Sequence, residues 1–162
     1  MLPSQVTLIP QFILFKYLGW LDSLKPLVVP SFFGTAFFIF LLRQFYLTIS
    51  QELDEAARID GCGYFQTYLR IILPLSKPAL GVVAIQSFML HWNEFMGPLI
   101  YLNTRTKYTA ALALRNFTAE YGMTPWNELM AASLVMLLPC IVLFFIAQRY
   151  FVEGIVFTGV KG

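Results

Sequence analysis

The chain has 162 residues, of which 58% are hydrophobic, 17% aromatic and only 12% charged. This apolar share lies far above that of ordinary globular domains, so the composition excludes a typical soluble protein and favours a membrane protein. The formal net charge of +2 is too small to indicate nucleic acid as a partner, and the length suits one domain.

Four apolar runs follow one another along the chain. A membrane core about 30 Å thick needs roughly 20 apolar helical residues, and the runs at 27–47, 79–102 and 129–151 meet that length. An earlier run, at 2–20, is interrupted by Pro3, Pro10 and Gln11, so we expect it to span only when packed against other helices. The sequence predicts an all-α, polytopic membrane domain over residues 1–162. Lysines and arginines divide almost evenly between its two sides, so charge does not orient it.

A polar stretch at residues 51–78 separates the second run from the third. Three acidic residues, Glu52, Asp54 and Glu55, are typical of a helix's first turn. Gly61 permits a tight turn after this helix. We expect one face of the helix to be smooth enough for close approach by a partner backbone; it comprises Leu53, Ala56, Ala57 and Asp60.

A second short helix is predicted from Gly63. An aromatic and aliphatic stripe lies along it at helical spacing, and we expect Leu73-Pro74 to end it. The stripe comprises Tyr64, Phe65, Tyr68, Leu69 and Ile72. Spacing alone leaves two explanations open: the stripe packs on lipid or on the protein's own spans, or it docks into a partner's groove.

The polar stretch resembles the cytoplasmic EAA loop of ABC importer permeases. The resemblance lies in Glu55-Ala56-Ala57, then Gly61, then Ile71 and Leu73-Pro74 at the family's separations. It implies that residues 51–78 face the cytoplasm and dock into a cytoplasmic ABC ATPase dimer, whose closure moves the membrane helices. The residues implied to take part in this coupling are Glu55, Ala56, Ala57, Asp60, Gly61, Tyr64, Phe65, Tyr68, Leu73 and Pro74.

Other segments are similar to the maltose-type second permease of sugar importers. They include residues 76–80, 92–95, 129–132 and the tail from Gln148. The resemblance implies a multi-pass protein of the bacterial or archaeal inner membrane, surrounded by lipid. It also implies a sugar substrate, a second permease subunit and an extracytoplasmic solute-binding protein. The residues of this sequence that resemble the family begin at the family's third span, so we expect the sequence to be a fragment or to have a misplaced start.

The apolar run at 79–102 contains an aromatic, an amide and an acidic residue in succession near its middle, close to the bilayer midplane: Trp92, Asn93 and Glu94. A carboxylate at that depth usually faces a bundle interior or an aqueous cavity. Tryptophan beside an amide and a carboxylate offers a sugar an apolar face and hydrogen-bonding partners, so these residues are candidates for the substrate path. Structural hydrogen bonding near Gly97-Pro98 and a gating role remain open.

Alternative functions differ in what they require of the sequence. The chain has no histidine pair for a metal, no nucleophile elbow and no phosphate-binding loop, so we expect no cofactor and no catalytic residue, and we assign ATP hydrolysis to a separate chain. A secondary transporter would not need a cytosolic helix pair. A permease for a solute other than sugar and a truncated, non-transporting permease remain alternatives.

Overall fold

The computed structural model describes residues 4–117 and 124–158, and all regular secondary structure in those ranges is helical. This confirms the predicted all-α fold. The α-helices are α1 (Ser4–Tyr17), α2 (Lys25–Val28), α3 (Ala36–Tyr46), α4 (Glu52–Ile59), α5 (Tyr64–Thr67), α6 (Leu73–Leu75), α7 (Lys77–Trp92), α8 (Met96–Tyr101), α9 (Ala110–Leu114) and α10 (Trp126–Thr158). A π-helical segment, Tyr68–Ile72, joins α5 to α6, and short 3₁₀ helices occur at Pro30–Phe33, Arg105–Lys107 and Arg115–Phe117.

Two stretches in the described residues are long and apolar enough to cross a membrane by themselves. They are Lys25–Tyr46 and Trp126–Gln148. Gly34 interrupts the first with a positive φ of 72°, between the 3₁₀ helix and α3. A third candidate is a bent pair, Tyr64–Leu75 with Lys77–Trp92, whose axes meet at 69°.

The run at 79–102 forms two helices where the sequence predicted one. Helix α7 ends at Trp92 and α8 begins at Met96. The carboxylate of Glu94 accepts a hydrogen bond from the N–H of Gly97, so a side chain replaces a backbone partner at the break. The carbonyl of Met89 accepts both the N–H and the side-chain amide of Asn93. The length of the apolar run does not show this break, because apolar residues continue on both sides of Asn93 and Glu94.

The chain divides into two compact units. One comprises residues 1–34 and 89–140, and the other comprises residues 35–88 and 141–162. In the first unit Phe15 and Tyr101 are buried and meet edge to face, with ring centroids 5.3 Å apart. Trp20 stacks on Phe15 at 5.7 Å. Aromatic contacts therefore hold the end of α1 against the end of α8.

Among the residues of the second unit whose burial the structure describes, the buried ones are small. They are Ala57 of α4, Thr67 of α5, Ser76 at the bend, Ala79 of α7 and Ala147 of α10. Small side chains let backbones approach closely, which suits helices packed without a solvent-driven hydrophobic force.

Candidate functional site

The turn between α4 and α5 is closed by two backbone hydrogen bonds around Gly61. The N–H of Cys62 bonds the carbonyl of Ala57 at 2.9 Å, and the N–H of Gly61 bonds the carbonyl of Arg58 at 3.0 Å. This pair of bonds is the Schellman motif, which needs a left-handed residue after the helix. Gly61 supplies it, with φ of 81°. The glycine expected from the sequence therefore has a defined conformational role.

The two adjacent alanines of α4 have different surroundings. Ala57 is buried within the chain, whereas Ala56 is exposed beside Leu53 and Asp60. The expected smooth face thus loses Ala57, because successive helical residues are rotated by about 100° and Ala57 faces the interior. The exposed surface of α4 instead includes Ile59.

The aromatic stripe of the second helix is exposed. Tyr64 and Phe65 retain about three quarters of their accessible surface, and Tyr68 and Leu69 are also exposed. Large apolar side chains clustered on a polar loop are typical of an interaction site. Glu55, Ala56, Asp60 and Gly61 are exposed on the same loop, so the structure presents most of the predicted coupling residues at the surface. We name Ile59, Tyr64 and Phe65 the apolar knuckle.

Arg58 links the two helices of the loop. Its guanidinium lies 4.9 Å from the centre of the Tyr64 ring and donates a hydrogen bond of 3.1 Å to the Tyr64 hydroxyl. Asp54 lies 3.8 Å from the same guanidinium. These groups are exposed, so the contacts add little free energy, but they connect α4 to α5 across the turn.

Leu73-Pro74 does not end the second helix, contrary to the prediction. The N–H of Leu73 bonds the carbonyl of Tyr68, five residues back, which makes the segment π-helical. Pro74 follows directly and has no N–H to donate, so the wider turn accommodates it without breaking the helix. The helix ends at Leu75, and the chain bends at Ser76.

A cavity of about 330 Å³ lies between the end of α3, the start of α4 and the π-helical segment. Its wall is mostly apolar and includes Tyr68, one of the predicted coupling residues. The lining residues are Tyr46, Ile49, Ser50, Gln51, Asp54, Tyr68 and Ile72.

The three predicted path residues lie together at the break after α7, and each is bonded within the protein. The indole N–H of Trp92 donates to the carbonyl of Met136 in α10 at 3.2 Å. Asn93 donates to the carbonyl of Met89 at 2.8 Å, and Glu94 accepts from the N–H of Gly97 at 2.9 Å. Asn93 is exposed, whereas Trp92 and Glu94 are half-buried. Structural hydrogen bonding, one of the open alternatives, is therefore present at all three.

Two polar contacts in the first unit were not predicted from the sequence. The imidazole Nε2 of His91 lies 3.0 Å from the hydroxyl of Ser31, which also donates to the carbonyl of Leu27. Asp22 adopts a positive φ of 55° and accepts hydrogen bonds from Asn103, Thr104 and Lys107. Partners separated by 60 or more residues leave no local signal in a sequence.

Lys107 is the main reason that the pKa of Asp22 lies well below its ordinary value, and the bonds from Thr104 and Asn103 lower it further. Asp22 also donates its backbone N–H to the carbonyl of Tyr101 at 2.7 Å. The loop after α1 is therefore fixed to the loop after α8.

Curated relatives match nearly the whole chain. It is 37% identical over 157 residues to the sn-glycerol-3-phosphate transport system permease protein UgpE of Yersinia pestis bv. Antiqua (strain Antiqua), covering 96% of this chain and 56% of that protein. It is 35% identical over 162 residues to the arabinooligosaccharides transport system permease protein AraQ of Bacillus subtilis (strain 168), covering 100% and 57% respectively. The chain thus spans little more than half the length of these relatives.

A solved structure shares the fold. A chain in the crystal structure of a bacterial ABC transporter involved in the import of the acidic polysaccharide alginate superposes with a TM-score of 0.74 at 25% identity, covering 88% of this chain and 55% of that one. The family model described as "Binding-protein-dependent transport system inner membrane component" matches residues 1–156. The chain therefore belongs to this family of inner membrane components, the permease subunits of ABC importers.

Proposed function

We propose that the chain serves as a permease subunit that moves a sugar across the inner membrane, driven by a cytoplasmic ATPase dimer that binds residues 51–78. The observation that carries the proposal is the exposed apolar knuckle, Ile59, Tyr64 and Phe65, on a polar helix pair. Such side chains are stabilised by burial in a partner's cleft, and each fully buried one contributes about 1.5–3 kcal/mol.

Conformational rigidity supports a mechanical role for the loop. The Schellman turn at Gly61 defines the backbone path from α4 to α5, and the Arg58 contacts bridge the two helices. The buried Ala57 anchors α4 to its own unit. A rigid pair passes a displacement on, whereas a flexible loop would absorb it. Closure of the ATPase dimer would therefore move the helices attached to the loop.

The proposed partners follow from membership of a binding-protein-dependent family. They are the ATPase dimer, a second permease subunit that completes the path, and an extracytoplasmic solute-binding protein. The proposed sugar class rests on the relatives, whose names concern arabinooligosaccharides and a phosphorylated polyol. Within the path we assign Trp92, Asn93 and Glu94 to the wall, since they lie at the break between α7 and α8.

Photo-crosslinking in the intact membrane complex tests the docking surface. A photoreactive phenylalanine at Phe65, which is 75% exposed, is expected to capture an ATP-binding chain from the cytoplasmic side. The same group at Tyr17, which is 87% exposed in the other unit, is the matched control and should not capture it. Absence of an ATPase from the Phe65 adduct, with the complex intact, would contradict the proposed docking.

Uptake into cells tests the substrate class. Labelled arabinotriose and sn-glycerol 3-phosphate represent the two classes named among the relatives. Uptake of arabinotriose that depends on this chain supports the sugar assignment. Uptake of glycerol phosphate alone would favour a phosphorylated polyol, the second candidate. Disruption of the chain should abolish uptake without changing the amount of ATPase in the cell.

A further inference from the structure

Ser76 joins the two helices that meet at 69°, Tyr64–Leu75 and α7. It is completely buried, with a relative exposure of 0%. Its hydroxyl donates to the carbonyl of Ile72 at 2.6 Å. Its N–H bonds the carbonyl of Ile72 at 3.0 Å and that of Leu73 at 3.2 Å. The end of the first helix is therefore bonded to Ser76 by three separate contacts.

The second helix is bonded to the same residue. The carbonyl of Ser76 accepts a hydrogen bond of 2.9 Å from the N–H of Leu80 and so opens the first turn of α7. The N–H and the hydroxyl of Ser76 close one helix while its carbonyl starts the next. Thus no free linker residue lies between the two axes.

The helix before this joint is weakened along its backbone. The π-helical bond from Leu73 to Tyr68 and the missing N–H of Pro74 leave the last turn with fewer regular bonds than an α-helix has. The carbonyl of Ile72 already accepts the N–H of Ser76, and the hydroxyl of Ser76 adds a second hydrogen bond to it, so Ser76 holds the end of this weakened helix twice at one carbonyl. Because Ser76 is buried, water cannot replace the hydroxyl if it is removed.

We propose that the hydroxyl of Ser76 is a positioning group that holds the bend rigid, so that movement of the docking helices reaches α7 instead of being absorbed at the joint. This inference rests on the proposed function, in which residues 51–78 receive movement from an ATPase. Ser76 touches neither nucleotide nor substrate in this scheme. It acts through the angle between the two helices.

The chain offers a matched control for the Ser76→Ala variant. The hydroxyl of Ser133 donates to the carbonyl of Leu129 at 2.7 Å, four residues back, as that of Ser76 does to Ile72. Ser133 lies inside the continuous helix α10, where regular backbone bonds do not depend on it. Ser133→Ala therefore removes an equivalent hydrogen bond without touching a joint.

The test measures the rigidity of the bend in the intact complex. Spin labels replace the exposed Arg70 and Gln86 on the two arms, in a background where Cys62 and Cys140 are changed to alanine. We expect a narrow distance distribution in the parent and in Ser133→Ala, and a clearly broader one in Ser76→Ala. A distribution that stays narrow in Ser76→Ala overturns the proposal.

Transport provides a second readout that a purely structural role would not change. The ratio of transported arabinotriose or sn-glycerol 3-phosphate to ATP hydrolysed should fall several-fold in Ser76→Ala and remain unchanged in Ser133→Ala. Ser76→Cys, which has similar size and a weaker donor, should show a smaller loss and serves where the alanine variant does not assemble. An unchanged ratio in either assembled Ser76 variant overturns the role in transmission.

Failure of this inference can be distinguished from failure of the proposed function. If Phe65 captures no ATPase in the parent complex, the proposed docking fails whatever the label distances are. Suppose instead that the photoreactive residue at position 65 captures the ATPase in both the parent and Ser76→Ala. If the label distances and the ratio of transported solute to ATP hydrolysed are then unchanged in Ser76→Ala, the proposed docking stands and only the role of Ser76 is rejected.

Discussion

Lys107 binds Asp22 through two different oxygens. Its Nζ lies 2.8 Å from the carboxylate Oδ2 and 2.6 Å from the backbone carbonyl. Thr104 adds its N–H and its hydroxyl to the same carboxylate, at 2.8 and 2.7 Å. The positive φ of Asp22 brings its carboxylate and carbonyl to these partners together, a conformation that Asp tolerates better than most residues.

Replacement of Asp22 should loosen this connection in a graded way. Asp22→Asn keeps an acceptor and tolerates positive φ but loses the charge that Lys107 neutralises. Asp22→Gly also suits the backbone but removes every side-chain acceptor. We expect the Tm of the purified protein to fall in the order parent, Asn, Gly, measured by thermal unfolding in detergent. Equal Tm values for parent and Gly would show that the contacts do not stabilise the fold.

The pH dependence of this contribution follows from the lowered pKa of Asp22. Because the folded protein holds the carboxylate ionised more strongly than the unfolded chain does, the stabilisation is fully present above the ordinary Asp pKa of about 3.9. It is lost as pH falls towards the folded value. The Tm difference between parent and Asp22→Asn should be constant from pH 7 to about pH 5 and shrink below about pH 4.

Gly61 and Gly63 offer a controlled test of backbone conformation in the loop. A side chain at either position would meet no atom within 4 Å, but only Gly61 has a positive φ. Gly61→Val should therefore strain the turn by about 1–3 kcal/mol, whereas Gly63→Val should not. We expect Gly61→Val to insert into the membrane normally but to transport less solute per ATP hydrolysed.

Gly61→Asn distinguishes strain from added bulk, since asparagine tolerates the left-handed region. It should couple almost as well as the parent. Uptake and ATP hydrolysis are measured together in reconstituted vesicles. Normal coupling in Gly61→Val, with its turn strained, would remove the mechanical role assigned to the loop.

Features governed by neighbouring residues could be predicted from the sequence. Helical structure follows from long apolar runs, and the turn at Gly61 follows from a glycine after a short polar helix with no competing partner. The exposure of Tyr64 and Phe65 follows from their position on a polar loop. In each case the deciding interactions lie within a few residues along the chain.

Features governed by distant or competing interactions could not be predicted. The inward orientation of Ala57 depends on what packs against α4, and the alanine pair itself gives no preference. A proline such as Pro74 ordinarily ends a helix. Here the turn before it is π-helical, so its backbone hydrogen bonds run to carbonyls five residues back and the helix tolerates the missing N–H of Pro74. Asp22 meets partners more than 80 residues away, so its role exists only in the folded chain.

Gly97 lies against Leu27, and this contact predicts a coupled pair of substitutions. A Cβ on Gly97 would lie 3.1 Å from Cδ2 of Leu27, closer than ordinary contact. Gly97→Ala should be less favourable by about 1 kcal/mol in the parent than in the Leu27→Ala background, because only in the parent must the leucine tip move away from the new methyl group. A double-mutant cycle on unfolding in detergent measures the difference, and additive effects would contradict the close approach.

Trp92 allows the structural and substrate roles of the path residues to be separated. Trp92→Phe keeps an aromatic face but loses the N–H that bonds Met136, so stability should fall by about 1 kcal/mol while the KM for uptake stays near that of the parent. Trp92→Leu loses both the N–H and the aromatic ring. It should raise the KM for uptake as well, because a sugar can no longer pack against an aromatic ring at this position. Uptake at varied arabinotriose concentration, with complex abundance measured in parallel, distinguishes the two. If both variants lose stability equally and neither changes KM, Trp92 acts only as a structural bond between α7 and α10.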